Sequence, residues 1–433
     1  MNPTPTSSLV QRLVTLSSLM LLALLLSGCG DLLPNNDSND QPAILIVTAT
    51  PEPGAAAAPV QEPTPVPPAP SDDDANETPA PSDDDANETP APSDDETETP
   101  TAPDAAPAQT GPGLLARVQD RGYLICGTNA NLPGFGFYDN VRNDWFGFDV
   151  DFCRALAAAI FGDASKVDFV GLTTAGEYER FGAVRQGRVD VLFRNTSWTL
   201  GRDVDQLAFG PTTFHDGQSF MVRRDAGVSN SNDLAGRRIC VAAGTTSEQT
   251  LNEDFAARGI DFEAVLFNSD RELYPAYDEG ECDAVTSDSS QLASQRETLT
   301  NPDDHVVLDE RISREPLGPV FIENDDQWRD VVSWVVFATM YAEELRVDQN
   351  NVNQLAQSSD DQRILRLLGR EGDFGQALGL NNDFALQIIS QVGNYGDIYD
   401  RNLGPRTPFA LERGPNKAWN LGQGGVLASP PFR

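Results

Sequence analysis

One order of segments occurs twice in this 433-residue chain, and it restricts the fold more than any other feature. In the first run, residues 123–127 read as a buried strand, 149–161 as a helix, 167–170 as a strand, 178–186 as a helix and 189–193 as a strand. The helix over 149–161 rests on Val150, Cys153, Leu156, Ala157 and Ile160, which recur at the spacing of one helical face. The second run returns as strand 239–242, helix 247–258, strand 264–267, helix 271–279 and strand 283–286. A joint is shared: Gly187-Arg188-Val189-Asp190-Val191 corresponds to Gly280-Glu281-Cys282-Asp283-Ala284, each closing a helix and opening a strand. Strands alternating with helices build parallel sheets, so the predicted class is α/β. About 320 residues exceed one usual core and predict two lobes. Ligands of open α/β sheets bind off the carboxyl ends of the strands, which points to a cleft between the lobes.

The remainder of the chain places this fold outside the cytoplasm. Residues 13–26 form an apolar run behind Arg12, too short to cross a bilayer comfortably and long enough for a signal-peptide core. It ends in Leu26-Ser27-Gly28-Cys29, which looks like a lipoprotein processing site with Cys29 as the lipidated first mature residue, so 1–29 is assigned as a lipoprotein signal. Residues 30–112 are rich in Pro, Ala, Asp, Glu and Thr and hold neither Lys nor Arg. The unit at 71–81 recurs at 82–92. Such a composition cannot bury enough apolar surface to offset chain entropy, so this segment is expected to be a disordered tether spanning about 50 Å. It carries 18 of the 66 acidic residues and so about half of the net charge of −36. The folded part remains acidic, which argues against nucleic acid as a partner.

With Cys29 set aside, Cys126, Cys153, Cys240 and Cys282 remain, an even number suited to two disulfides, for which spacing alone allows three pairings. Cys-x-x-Cys is lacking and the only histidines are His215 and His305, so neither a metal site nor a histidine triad is expected, and no cofactor is implied.

Three strand ends carry chemistry suited to a ligand. Gly244-Thr245-Thr246-Ser247-Glu248 opens a helix with capping-box spacing between Thr245 and Glu248, and free N–H groups there favour a carboxylate; a well-capped helix with no ligand fits equally. The run 194–202 leads through hydroxyls to Arg202, whose fork can take a carboxylate or make a surface salt bridge to Asp203 or Asp205. Asp288 ends the last strand, where it can receive an ammonium or serve as the N-cap before Ser289. A positive group, a hydroxyl shelf and a negative group suit a zwitterionic α-amino acid.

Gly147-Phe148-Asp149-Val150-Asp151, the Asp190…Thr199-x-x-Arg202 element and Gly244-Thr245-Thr246 resemble the family 3 solute-binding proteins of polar amino-acid ABC importers. Arg194-Asn195-Thr196, Asn301-Pro302-Asp303-Asp304-His305-Val306, Glu315-Pro316-Leu317-Gly318-Pro319 and Val392-Gly393-Asn394-Tyr395-Gly396 look like the general L-amino-acid-binding branch. The resemblance implies a two-lobed Venus-flytrap clamshell, crossed near residues 215–219 and again near 309–319. Lobe one then takes 113–217, lobe two 218–315, and 316–433 returns to lobe one and adds a C-terminal helical extension. Arg202 is expected to clasp the ligand carboxylate with Thr246, and Asp288 to take the ammonium with Asn195 and Ser197. Asn129, Leu132 and Phe135 would lie against the side chain. Leu132 stands where relatives often have an aromatic and Asn129 where they have an acid, which fits a broad pocket. Cross-lobe bonds would restrict closure, so Cys126–Cys153 and Cys240–Cys282 is the expected pairing.

The resemblance further implies a monomer, lipid-anchored to the outer face of the cell membrane, that delivers L-amino acids to ABC permease subunits driven by a cytoplasmic ATPase. A sensor for a separate signalling partner is an alternative on the same fold. A clamshell enzyme such as a dehydratase or a peptidoglycan-cleaving enzyme is another, with Glu177 or Glu179 as its acid. The stretch 328–342 suggests a membrane helix by hydropathy but suits a buried lobe helix better, and Trp198 is expected to pack into its own lobe. The processing site yields the first prediction: Cys29→Ala abolishes labelling by a radioactive fatty acid and releases or misprocesses the protein, whereas undiminished labelling would refute the anchor.

Overall fold

The computed structural model describes residues 113–176 and 178–433. The signal, Cys29, the tether and Glu177 lie outside the described residues. The described part opens with α1 (Leu114–Arg121), β1 (Leu124–Thr128), the short strands β2 (Asn131–Leu132), β3 (Gly136–Asp139) and β4 (Asp144–Phe146), and α2 (Phe148–Phe161). β5 (Val167–Gly171), α3 (Arg180–Arg185), β6 (Val191–Leu192), α4 (Leu200–Asp203) and β7 (Leu207–Phe209) follow. A first crossover strand, β8 (Phe214–Asp216), leads to β9 (Gln218–Arg223), β10 (Arg238–Ala242), α5 (Thr246–Arg258), β11 (Glu263–Phe267), α6 (Asp270–Asp278), β12 (Ala284–Asp288), α7 (Ser289–Arg296) and β13 (His305–Val307). The chain then returns through β14 (Glu315–Leu317) to β15 (Val320–Ile322) and six helices: α8 (Asp326–Glu344), α9 (Val352–Ser358), α10 (Gln362–Leu367), α11 (Phe374–Leu378), α12 (Phe384–Gln391) and α13 (Tyr395–Asn402).

The repeated order becomes two five-stranded sheets, β5-β1-β6-β15-β7 and β11-β10-β12-β9-β13. Their centres are parallel as expected: β1 lies between β5 and β6, and β10 between β11 and β12. Each sheet also holds one strand that runs against the others, β15 between β6 and β7 in the first and β9 between β12 and β13 in the second. The alternation pattern does not reveal these, because they arise from the crossovers. β8 and β14 pair antiparallel, Glu315 opposite Asp216 and Leu317 opposite Phe214. The strand after each crossover enters its sheet from the end where the parallel strands leave, and so must run the other way. Both crossovers fall in the stretches that the resemblance indicates.

Helix boundaries shift where caps decide them. The pattern predicts a helix over 178–186, whereas α3 begins at Arg180 because the Glu179 carboxylate accepts the N–H groups of Phe181 (2.8 Å) and Gly182 (2.6 Å). Glu179, one of the two acids available to an enzyme, is thereby engaged as a helix cap. α8 packs Trp328, Val331, Val332, Val335 and Val336 into the larger core, and Trp328 Nε1 donates to the Asp190 carbonyl at 3.1 Å. Among the described residues no helix is long and apolar enough to cross a membrane. Trp198 stacks on Phe209 of its own lobe, centroids 5.7 Å apart.

The C-terminal segment fastens the first crossover. Asn416 exchanges two hydrogen bonds with the His215 backbone, at 2.6 and 2.9 Å, and the Tyr395 hydroxyl donates to the Thr213 carbonyl at 2.7 Å. α13 is held to α2 where Arg401 and Asn402 donate to buried Asp151 at 2.7 and 2.6 Å.

Cys126–Cys153 joins β1 to α2, and Cys240–Cys282 joins β10 to the turn before β12, so each bridge stays within one sheet and its helices. They close loops of 27 and 42 residues. Loop-closure entropy assigns each about 3–4 kcal/mol. Replacing either pair by serine should therefore lower the unfolding free energy of the full chain by about that much in denaturant titration, with closure on ligand intact.

Candidate ligand-binding site

The site forms where strands of both sheets point their carboxyl ends at one another. From lobe one come Thr174 after β5, Arg180 of α3, the loop after β6 and Arg202 of α4. From lobe two come Thr245 and Thr246 at the start of α5, Asp270 of α6, Asp288 at the end of β12 and Gln291 of α7. They enclose a cavity of about 30 Å³. That is room for about two water molecules, so a solute can enter only if the lobes part.

The lobes touch across this cavity. Thr174 Oγ1 donates to the Asn268 carbonyl (3.1 Å), Asn195 Nδ2 to Gln291 Oε1 (2.8 Å) and Asn129 Nδ2 to Asp270 (3.3 Å). Gln295 Nε2 reaches the Asn131 carbonyl at 2.9 Å, and Ser294 donates to the Pro133 carbonyl. The structure is a closed clamshell.

Arg202 is aimed by its own backbone. Thr199 caps α4, and Arg202 turns back so that Nη1 donates to the Ser197 carbonyl at 2.8 Å while the guanidinium lies 5.1 Å from the centre of the Phe181 ring. Neither Asp203 nor Asp205 takes it as an ion pair; Asp205 binds Arg185 instead. Burial lowers the Arg202 pKa, opposed by the charges of Glu315 and Asp288.

Asp288 likewise escapes the structural role open to it. It occupies the N-cap position of α7, yet its side chain makes no capping hydrogen bond. Asp216 of the crossover caps α7 in its place, accepting from the Ser289 hydroxyl (2.6 Å), the Ser290 N–H (3.2 Å) and the Ser290 hydroxyl. Asp288 is 6% exposed, and its Oδ1 has no hydrogen-bond partner among the described residues. Its pKa is held well above the usual carboxylate range, by burial first and then by the negative charges of Asp216 and Glu315.

The shelf between them is shaped by Asp149, whose Oδ2 accepts the Asn195 N–H at 2.9 Å and holds Asn195 at φ +22°. Burial pushes the Asp149 carboxyl up to about 7, against the pull of that hydrogen bond and of Arg194. Ser197 Oγ stands 3.5 Å from Thr246 Oγ1 across the cleft. Thr245 Oγ1 accepts the Glu248 N–H at 3.2 Å, but the Glu248 carboxylate returns to the Gly244 N–H (2.8 Å) and not to Thr245, so the reciprocal half of the expected box is displaced by one residue.

Asn195, Ser197, Arg202, Thr246 and Asp288 therefore surround one cavity. Asn129 lies beside it, bonded to Asp270. Leu132 and Phe135 do not reach the cavity: both are buried in the lobe-one core, Phe135 edge-on to Phe148 and Phe214. The sequence assigns no ligand role to Arg180, Arg194, Asp270 or Gln291, nor to Thr174 and Ser287, which also line the cavity. The rule that located Arg202 and Asp288 also finds Arg180 and Asp270 when applied to the ends of β5 and β11, and Gln291 lies one helical turn beyond Asp288. Among the described residues no group of three His, Cys, Asp or Glu side chains could hold a metal ion.

Comparison with known proteins gives the family. Residues 124–404 match the bacterial extracellular solute-binding proteins, family 3, and the chain belongs to that family. It is 45% identical to the general L-amino acid-binding periplasmic protein of Rhizobium johnstonii, over 74% of this chain and 92% of that one. Identity to the glutamate/glutamine/aspartate/asparagine-binding protein of Rhodobacter capsulatus is 44%, over 76% and 95%. A solved ABC transporter periplasmic binding protein of Brucella ovis, with glutathione bound, aligns with a TM-score of 0.71 and 43% identity, covering 75% of this chain and all of that one. These relatives are solute-binding proteins and not enzymes.

Asp149 yields a prediction with a defined sign. Its pKa of about 7 lies above the ordinary 3.8, so between these values the folded state holds a proton that the unfolded chain has lost. Its contribution to stability is complete below pH 4 and declines as pH rises to about 7. Asp149→Asn should flatten that decline, so the melting temperature of the variant relative to the parent rises between pH 5 and pH 7.5.

Proposed function

We propose that the protein captures L-α-amino acids outside the cell membrane and delivers them to the permease of an ABC importer. One observation carries the reading: Arg202 and Asp288, opposite in charge and contributed by different lobes, line one closed cavity, and Asp288 keeps a buried oxygen without a partner among the described residues. An α-amino acid places its carboxylate against Arg202 and the N-terminus of α5 at Thr246, and its ammonium against Asp288. Asn195 and Ser197 supply the polar shelf, and Asn129 stands toward the side chain. Relatives whose names specify amino-acid binding support the choice of ligand. On this reading residues 1–29 direct export, Cys29 carries the lipid anchor, and residues 30–112 hold the clamshell away from the membrane so that it can meet the permease.

The ligand closes the lobes because only the closed form offers both charged partners at once, which is the differential contact that a population shift requires. Desolvated charges that lose one partner weaken binding by roughly 2–5 kcal/mol, about thirtyfold to several thousandfold. Arg202→Ala and Asp288→Ala should each do this in calorimetric titrations while keeping the parental circular dichroism. Near-parental affinity in either variant would remove that residue from the site.

A further inference from the structure

A third arginine of the cleft has no task in holding a zwitterion. Arg180 is 3% exposed and lines the cavity, yet among the described residues its guanidinium makes no hydrogen bond or ion pair, and Nε is fully buried without a partner. Arg194 shows how the fold treats an arginine that it uses structurally: its Nε donates to the Leu172 carbonyl at 2.9 Å, and the charges of Asp270 and Asp149 lie close enough to support its protonation. Around Arg180 the carboxylates of Glu179 and Asp288 support its charge from a distance but neither pairs with it: Glu179 spends both oxygens on the N-terminus of α3, and Arg194 and Arg202 add positive charge to the same space. Its own stacking on Phe181, 4.9 Å from the ring centre, leaves the in-plane N–H groups available.

A buried guanidinium without an acceptor destabilises the protein, and a planar fork is satisfied best by a carboxylate or an amide oxygen. When Arg202 and Asp288 hold the two α-groups of a ligand, their charges are met and that of Arg180 is not. We propose that Arg180 forms a second anion subsite that reads the ligand side chain, selecting amino acids that end in a carboxylate or amide oxygen and rejecting cationic ones. The inference rests on the amino-acid reading above. It narrows the breadth expected from Leu132 and Asn129, since Leu132 is removed from the cavity while Arg180 lines it.

The test is calorimetric titration of the full chain in detergent with L-glutamate, L-glutamine, L-alanine and L-lysine. Glutamate should bind at least about thirtyfold tighter than alanine, glutamine should fall between them and lysine should be weakest. Arg180→Gln should erase most of the glutamate-to-alanine ratio, and Arg180→Lys should retain part of it. Because an unmet buried cation is removed, the unliganded melting temperature of Arg180→Gln should equal or exceed that of the parent. A parent that binds alanine as tightly as glutamate overturns the subsite and leaves the amino-acid reading standing; a parent that binds no amino acid overturns both. A variant that loses glutamate and alanine binding in equal proportion, or that melts below the parent without ligand, also overturns the subsite.

Discussion

Opposite charges at the strand ends of two lobes, neither with an ion-pair partner among the described residues, set the terms for the rest of this molecule. Among the described residues Arg202 reaches a backbone carbonyl and an aromatic face, and no group donates to Oδ1 of Asp288. Taking such groups out of water is costly unless something meets them. The raised pKa of Asp288 is the same cost expressed as protonation: with the cleft closed and no ammonium present, the carboxyl keeps its proton more readily than in water. The closed state is therefore incomplete electrostatically, and on the proposed reading a zwitterion completes it.

The architecture around these charges keeps them from being satisfied in other ways. Asp216 performs the capping of α7 that would otherwise engage Asp288. Asp205 pairs with Arg185 and so leaves Arg202 to the cleft. Asp216 also sits on a crossover strand opposite Glu315, so the hinge itself carries the acids that raise the Asp288 pKa. The C-terminal segment reinforces that hinge through Asn416 and Tyr395, which fix the backbone of the first crossover. Both disulfides stay within a lobe, and neither bridges the cleft.

Much of this is legible from residues alone, for identifiable reasons. Helical spacing along α2 and the repeated glycine joint disclose two α/β units, because a buried face must recur at the period of its element. Arg202, Thr246 and Asp288 can be brought to one cavity from sequence because the carboxyl ends of the parallel strands in both lobes converge there. The antiparallel strands β9 and β15 cannot, since their direction follows from how the crossovers pair. Leu132 and Phe135 lie in the core and not on the cavity because a loop that passes the cleft can turn apolar side chains inward, and sequence adjacency to Asn129 does not show which way they face. Arg180 follows β5 as Arg202 follows β6, but within a helix expected over 178–186 it looks like an ordinary polar position, and its burial in α3 is what marks it out.

The central claim is that both α-groups of one ligand draw the lobes together. The most direct test is the inter-lobe distance, measured by pulsed electron resonance between a spin label on each lobe, with no ligand, a free amino acid, its amide and its N-acetyl derivative. A single short distance with the free amino acid, and the longer unliganded distribution with either blocked form, is the predicted result. Equal closure by the amide or the N-acetyl derivative, or the same distribution under all four conditions, would contradict the account.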